Sequence, residues 1–175
     1  LLLAQRHVFG VFFWFLVLPG PMGAVVYRLA EHLSRVWNRP PPAGTPPDLF
    51  GDFASRAFAW IDWIPARLTS LGFAIVGDFE GAIYCWRQVA RHAPVDAMPS
   101  PDSRTLILAT ASGALGMRLL PMSEAVKHFD EVGNEGAGLA EPTVAALRSV
   151  VGLVWRAMLL WLALLFALTL ANWLA

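Results

Sequence analysis

Two long runs without polar relief bracket the hydropathy pattern of this chain. Gly152 to Ala175 reads as Leu, Ala, Trp, Phe and Val with one charge, Arg156, and Val8 to Tyr27 carries no charge over 20 residues. At about 1.5 Å of rise per residue, about 20 apolar residues in a helix cross a hydrocarbon core of about 30 Å. A stretch such as LLWLALLFALTLA is apolar on every face, which no soluble surface helix needs. Trp155, Trp161 and Trp173 stand where interfacial aromatics collect. A fully buried core helix is the competing reading, but a chain of 175 residues has few helices with which to surround one.

Pro19, Gly20 and Pro21 interrupt the first run. Proline removes a backbone donor and crowds the preceding turn, and Pro21 turns Gly20 away from helical geometry. Two forms follow: a broken or kinked membrane block, or a helix ending at Leu18 with a turn and a second helix from Met22. Tyr27 to Asn38 then has an amphipathic period, with Leu29, Leu33, Val36 and Trp37 on one face. Five prolines between Pro40 and Pro47 forbid helix and strand and predict a linker. Asp48 to Val76 predicts an interfacial helix pair hinged at Pro65. Gly77 to His92 is amphipathic, with Phe79, Ile83, Trp86 and Ala90 towards apolar material. Leu106 to Leu119 is rich in small residues that let helices pack closely. Pro94 to Asp102 and Ser123 to Pro142 read as loops, with Pro142 in the first turn of the last helix, where proline is tolerated.

The prediction is an all-α, polytopic helical membrane protein with amphipathic cytoplasmic helices. Its parts are a broken membrane block at 8–27, cytoplasm-facing helices and loops at 28–149, and a transmembrane helix at 150–174. Arg28, Arg35 and Arg39 after the first block, and Arg148 and Arg156 at the last, direct 28–149 to the cytoplasm. Arg6 alone pulls the first block the other way. Composition agrees: 57% hydrophobic and 15% charged, against about 25% charged in soluble domains. With 13 basic and 13 acidic residues, no global field recruits nucleic acid. One cysteine excludes an internal disulfide and a multi-thiolate zinc site. The chain opens on Leu in mid-pattern, so it is expected to be the C-terminal part of a longer protein.

No phosphate loop, dinucleotide fingerprint or metalloprotease motif is present, and His7, His32, His92 and His128 are scattered, so no metal ligands are assigned. Cys85, between Tyr84 and Trp86, reads as a packed thiol. Three polar segments stand out. Asp62 and Arg67 are charges in apolar surroundings, expensive unless they serve each other or a ligand; an anchoring ion pair is the plainer alternative. Asp78 and Glu80 form a pair suited to Mg²⁺ with substrate phosphates, or to helix capping. Ser100, Asp102, Ser103 and Arg104 precede a helix and suit an anion, or a simple capped turn.

At these segments the chain resembles a known family. HVFGVFFWFLVLPGPMGAVVYRLA, FGDFASRAFAWIDWIPARLTSL and SPDS…SGALGMRL are similar, in order and spacing, to the C-terminal half of the CobD/CbiB family of membrane proteins. Their patterns there are PLFW…PGA…YKA, then IPARL, then SPNSGWPEAAMAGALGVRL. The resemblance implies a single domain of that type over 1–175, multi-pass in the bacterial inner membrane. It also implies cobalamin biosynthesis, through an adenosylcobinamide-phosphate synthase joining aminopropanol phosphate to adenosylcobyric acid with nucleotide consumption. Asp62, Arg67 and Asp102 take the catalytic positions, and Arg28, Asp78, Glu80, Ser100 and Ser103 the substrate-binding ones. Mg²⁺ and ATP, a corrinoid substrate, the lipid bilayer and a membrane complex are implied partners. The chain departs where the family has an acidic ENxxDG stretch, here Ala4 to Val8, and an NTLDSM stretch, here Glu31 to Val36. AIVGDFEGAIYCWR is closer to the related AmpE proteins, so the alternative is a non-catalytic inner-membrane regulator of that type.

Overall fold

The computed structural model describes residues 1–18, 21–38, 49–92, 102–119 and 144–174. The proline-rich linker, the loop predicted at Pro94 to Asp102 except for Asp102 itself, the loop predicted at Ser123 to Pro142, and with them Ser100, lie outside the described residues. Among the described residues the chain is helical, with no β-strand. Helix α1 is Leu2–Val17, α2 Met22–Trp37, α3 Leu49–Val76, α4 Phe79–His92, α5 Ser103–Leu115 and α6 Val144–Leu174.

The first apolar run resolves into a helical hairpin. Leu18 leaves helical geometry at φ −98°, ψ 139°, and a new helix starts one residue after Pro21. The arms close tightly because glycine stands at each contact. A Cβ on Gly23 would lie 2.0 Å from the Trp14 carbonyl oxygen, and one on Gly10 2.4 Å from the Tyr27 hydroxyl. The two arms bring Arg6 and Arg35 to the same end, at one pocket.

The apolar stripe predicted on α2 points outwards. Leu29, Leu33, Val36 and Trp37 are exposed, while Gly23, Tyr27 and Glu31 face inwards. Periodicity identifies a stripe but not the medium it meets, and here the inner face of α2 is the polar one. The face of α4 is likewise rotated from the prediction. Ala82, Cys85 and Val89 are buried and Phe79 is 56% exposed. The cause is the approach of α5, where a Cβ on Gly113 would fall 2.1 Å from the Gly81 carbonyl oxygen. Small residues on both sides thus set this contact.

The hinge predicted at Pro65 is absent, since α3 runs unbroken through it for 28 residues. Proline at 65 cannot donate to the Ile61 carbonyl four residues back. The Trp14 indole N–H donates to that oxygen instead, at 3.2 Å. The core is formed by Phe9, Ala66, Phe73, Ala74, Ile107, Ala111, Leu153 and Ala157, from α1, α3, α5 and α6. Met158 and Trp161 still pack on this core, and the rest of α6 runs outwards from it. Leu159, Leu162, Leu164, Phe166, Leu168 and Trp173 are all exposed. Leu147–Leu174 is the one described helix long and apolar enough to cross a membrane.

Candidate functional site

A polar pocket of about 450 Å³ opens where the hairpin base, the middle of α3 and the start of α5 meet. Its wall includes Arg6, Arg35, Arg104, Asp62, Asp102 and Ser103, so three guanidinium groups face two carboxylates. These six residues come from four helices or their caps, separated by up to 98 positions in sequence.

Asp62 anchors the floor. It is 3% exposed, and its Oδ1 accepts from the Tyr27 hydroxyl at 2.7 Å and the Gln5 amide at 2.9 Å. Both donors are themselves buried. Burial pushes the Asp62 carboxyl up from the ordinary carboxylate range. The bonds from Tyr27 and Gln5, the charge of Arg6 and the Ser103 hydroxyl act against that rise. Two donors on one oxygen fix the plane of the carboxyl, and Asp62 lines the pocket.

Gln5 and Arg6 reach the pocket through a π-helical turn, Gln5–Phe9, inside α1. One residue per turn beyond the α-helix re-aims side chains, and such turns recur at functional sites. Arg6 lies over the Phe58 ring at 5.4 Å. Arg35 is held by Glu31 at 2.5 Å, and the same buried carboxylate takes Arg28 at 2.6 Å. One acid thereby braces two arginines, of which Arg35 lines the pocket. Asp102 is the N-cap residue of α5, yet its side chain makes no capping bond, so its carboxylate stays available to the pocket wall.

The predicted site residues separate into groups. Asp62, Asp102 and Ser103 come together in this pocket. Arg67 does not join them. Five residues beyond Asp62 on a helix is about 140° round the axis, and its guanidinium stacks 4.0 Å from the Trp63 ring. Arg28 stays outside, on Glu31. Asp78 caps α4, its two oxygens accepting from the Glu80 and Gly81 backbone N–H groups at 3.2 and 3.3 Å. Glu80 lines a different groove with Arg87 and Arg91. Asp78 and Glu80 thus line different pockets. Cys85 packs against Val89 and Ala109, where burial pushes its thiol up to about 11. Among the described residues no cluster of three or more His, Cys, Asp or Glu side chains is arranged to hold a metal.

Gln5, Arg6, Tyr27 and Arg35 are site residues that sequence reasoning missed, whereas Arg104 belongs to the segment it singled out for an anion. Tyr27 gave a usable signal: a phenol inside an apolar run needs a partner for its hydroxyl, and Asp62 was the nearest buried acid in need of a donor.

Comparison with known proteins adds a family. The chain is 35% identical over 160 residues to the cobalamin biosynthesis protein CobD of Chromobacterium violaceum, covering 91% of this chain and 48% of that protein. It is 30% identical over 163 residues to the cobalamin biosynthesis protein CobD of Stutzerimonas stutzeri, covering 90% and 48%. The chain thus spans about half the length of these relatives. No solved structure matches it. The family described as CobD/Cbib protein matches from residue 5 to residue 154, a stretch that contains the whole Asp62 pocket, and the chain belongs to that family.

Proposed function

We propose that this chain acts in cobalamin biosynthesis, as part of a membrane-bound enzyme that forms the amide between adenosylcobyric acid and aminopropanol phosphate. The observation that carries the reading is the pocket in which Arg6, Arg35 and Arg104 face Asp62 and Asp102. The names of the two curated relatives support the pathway.

The reaction needs three things from the protein. Phosphates must be neutralised, the carboxylate must be activated by a nucleotide so that a phosphate group leaves as the amide bond forms, and the attacking amine must lose a proton while held in line. Forked guanidinium donors suit phosphate and carboxylate oxygens, and three of them line the wall. Asp62 suits the proton transfer. A buried carboxyl with a raised pKa is a better base than an exposed one, and Tyr27 and Gln5 hold it in one orientation. Ser103 and Asp102 orient the substrate from the α5 side. Asp62 and Asp102 are also the acids this pocket offers to Mg²⁺, which takes one or two carboxylates beside nucleotide or substrate phosphates. Bound there, the metal would supply charge neutralisation at those phosphates.

Exposed apolar surface supports membrane attachment in the same reading. α6 crosses the bilayer, and the α1–α2 hairpin enters it tip first without crossing. Phe12, Phe15, Leu16, Met22, Val25 and Val26 are exposed towards the tip, while Arg6, Arg28 and Arg35 stand at the base. Val8 and Phe12 of α1 face Met158 and Leu162 of α6, so both helices carry their ionic ends on the same side. The pocket then opens at the water boundary, where a polar corrinoid can reach it.

Complementation tests the reading. The intact gene should restore corrinoid-dependent growth to a strain lacking the cobinamide-phosphate synthase. Asp62→Asn should abolish rescue with the protein still present in membranes, and Arg67→Ala should leave it. No rescue by a membrane-inserted wild-type protein would reject catalysis and favour the regulatory relative.

A further inference from the structure

A second pocket, of about 610 Å³, lies at the foot of α6, against the junction of α3 and α4 and the end of α5. Arg148, Ser149, Gly152 and Arg156 line it from α6, and Asp78 lines it from the cap of α4. None of these takes part in the Asp62 pocket. Arg148 and Arg156 are eight residues apart, about 12 Å along the axis, on the face of α6 that turns to this pocket. Neither guanidinium has a hydrogen-bond or ion-pair partner among the described residues. That contrasts with Arg28 and Arg35, which share a buried glutamate. Asp78 cannot serve both arginines, because its two oxygens already hold the backbone N–H groups of Glu80 and Gly81. Two cations against one committed carboxylate leave the pocket positive.

An arginine inside an otherwise apolar helix is costly unless something anionic meets it. Forked guanidinium donors with a nearby hydroxyl fit a phosphate group, which takes several N–H bonds at once. Val76, Leu115 and Leu153 complete the wall with apolar surface, which suits an acyl-bearing phosphate beside a membrane-crossing helix. A Cβ on Gly152 would meet no atom within 4 Å, so the space between the arginines is open to a ligand.

We infer that the foot of α6 is a phosphate-binding site, formed by Arg148, Arg156 and Ser149 and separate from the Asp62 pocket. The test uses the intact protein in phosphatidylcholine nanodiscs, with two probes: inorganic phosphate, and phosphatidylglycerol added to the bilayer. Thermal unfolding midpoints report binding. The expected result is a dose-dependent rise with at least one probe. Response to phosphatidylglycerol alone assigns a lipid headgroup, and response to inorganic phosphate assigns a soluble phosphate. The double variant Arg148→Gln, Arg156→Gln should weaken the response at least tenfold, and Arg56→Gln, at an exposed arginine outside both pockets, should leave it intact. Gly152→Phe fills the open space while keeping both charges, so it decides the matter if the double variant does not fold; it too should lose the response. The inference is overturned if neither probe moves the midpoint. It is also overturned if the response survives in Gly152→Phe, or if Arg56→Gln removes it.

Discussion

Helices α3 and α6 are the two longest described elements, at 28 and 31 residues, and they solve opposite problems. α3 carries a proline and an aspartate in its middle and lies packed within the body. Its awkward groups are met there: Trp14 takes the carbonyl that Pro65 leaves open, and Tyr27 and Gln5 take one oxygen of Asp62. α6 carries almost nothing polar, and beyond Leu162 most of its side chains are exposed. Polar groups in an apolar setting are tolerated where donors and acceptors are matched. Apolar groups on an outer face are tolerated where the surroundings are lipid. A polar residue in α3 therefore marks a built site, whereas the apolar surface of α6 marks an environment.

The comparison can be broken most sharply at Asp62. Asp62→Ala removes the acceptor of two buried donors, each costing about 1–3 kcal/mol when left unpaired. Asp62→Asn keeps an oxygen for both. Thermal unfolding in detergent should place the alanine variant below the asparagine variant by about 2–6 kcal/mol, and equal stabilities would remove the network from the account. The same pair of proteins tests the charge. Burial raises the folded-state pKa of Asp62 above its ordinary value of 3.8. The folded form then binds the proton more tightly than the unfolded one. Relative to Asp62→Asn, wild-type stability should be greatest below that ordinary value and fall as pH rises through the raised one.

A substitution in α6 reads the opposite property. Leu164→Lys puts a charge near mid-span, at about 2.5–3.5 kcal/mol on an insertion scale, and leaves the packed body untouched. The fraction resisting carbonate extraction should drop, while a charge at exposed Arg56 of α3, reversed as Arg56→Glu, should leave extraction unchanged. A smaller effect belongs to Pro65. Trp14→Phe should cost about 1 kcal/mol, the net worth of one hydrogen bond. In a Pro65→Ala background the helix can satisfy Ile61 itself, so the cost should shrink. A double-mutant cycle with no coupling between the two positions would show that the indole bond does not replace the missing helical one.

Much of this was legible in the chain. The apolar tail, the break at Pro19 to Pro21 and the small-residue helix at α5 are local facts, and local composition was enough to find them. Asp62, Asp102 and Ser103 were legible as polar residues out of place. Gln5 and Arg6 were not, because a π-helical turn leaves no composition mark and their partner lies 57 positions away from Gln5. The inward face of α2 was also unreadable. Tyr27 and Glu31 form a narrower stripe than Leu29, Leu33 and Val36, and hydropathy alone selects the wider one.

By itself, the sequence determined helical character, the helix end at Leu18 and an apolar tail long enough to cross a bilayer, because each depends on neighbours within about a turn or on a run of side-chain character. The tertiary structure decided which face of each helix turns inwards, which charges meet, and that Asp62 joins Tyr27 and Gln5 and not Arg67. Those outcomes depend on pairs far apart in the chain, and burial makes an unmatched donor or acceptor costly enough to select the packing that matches them.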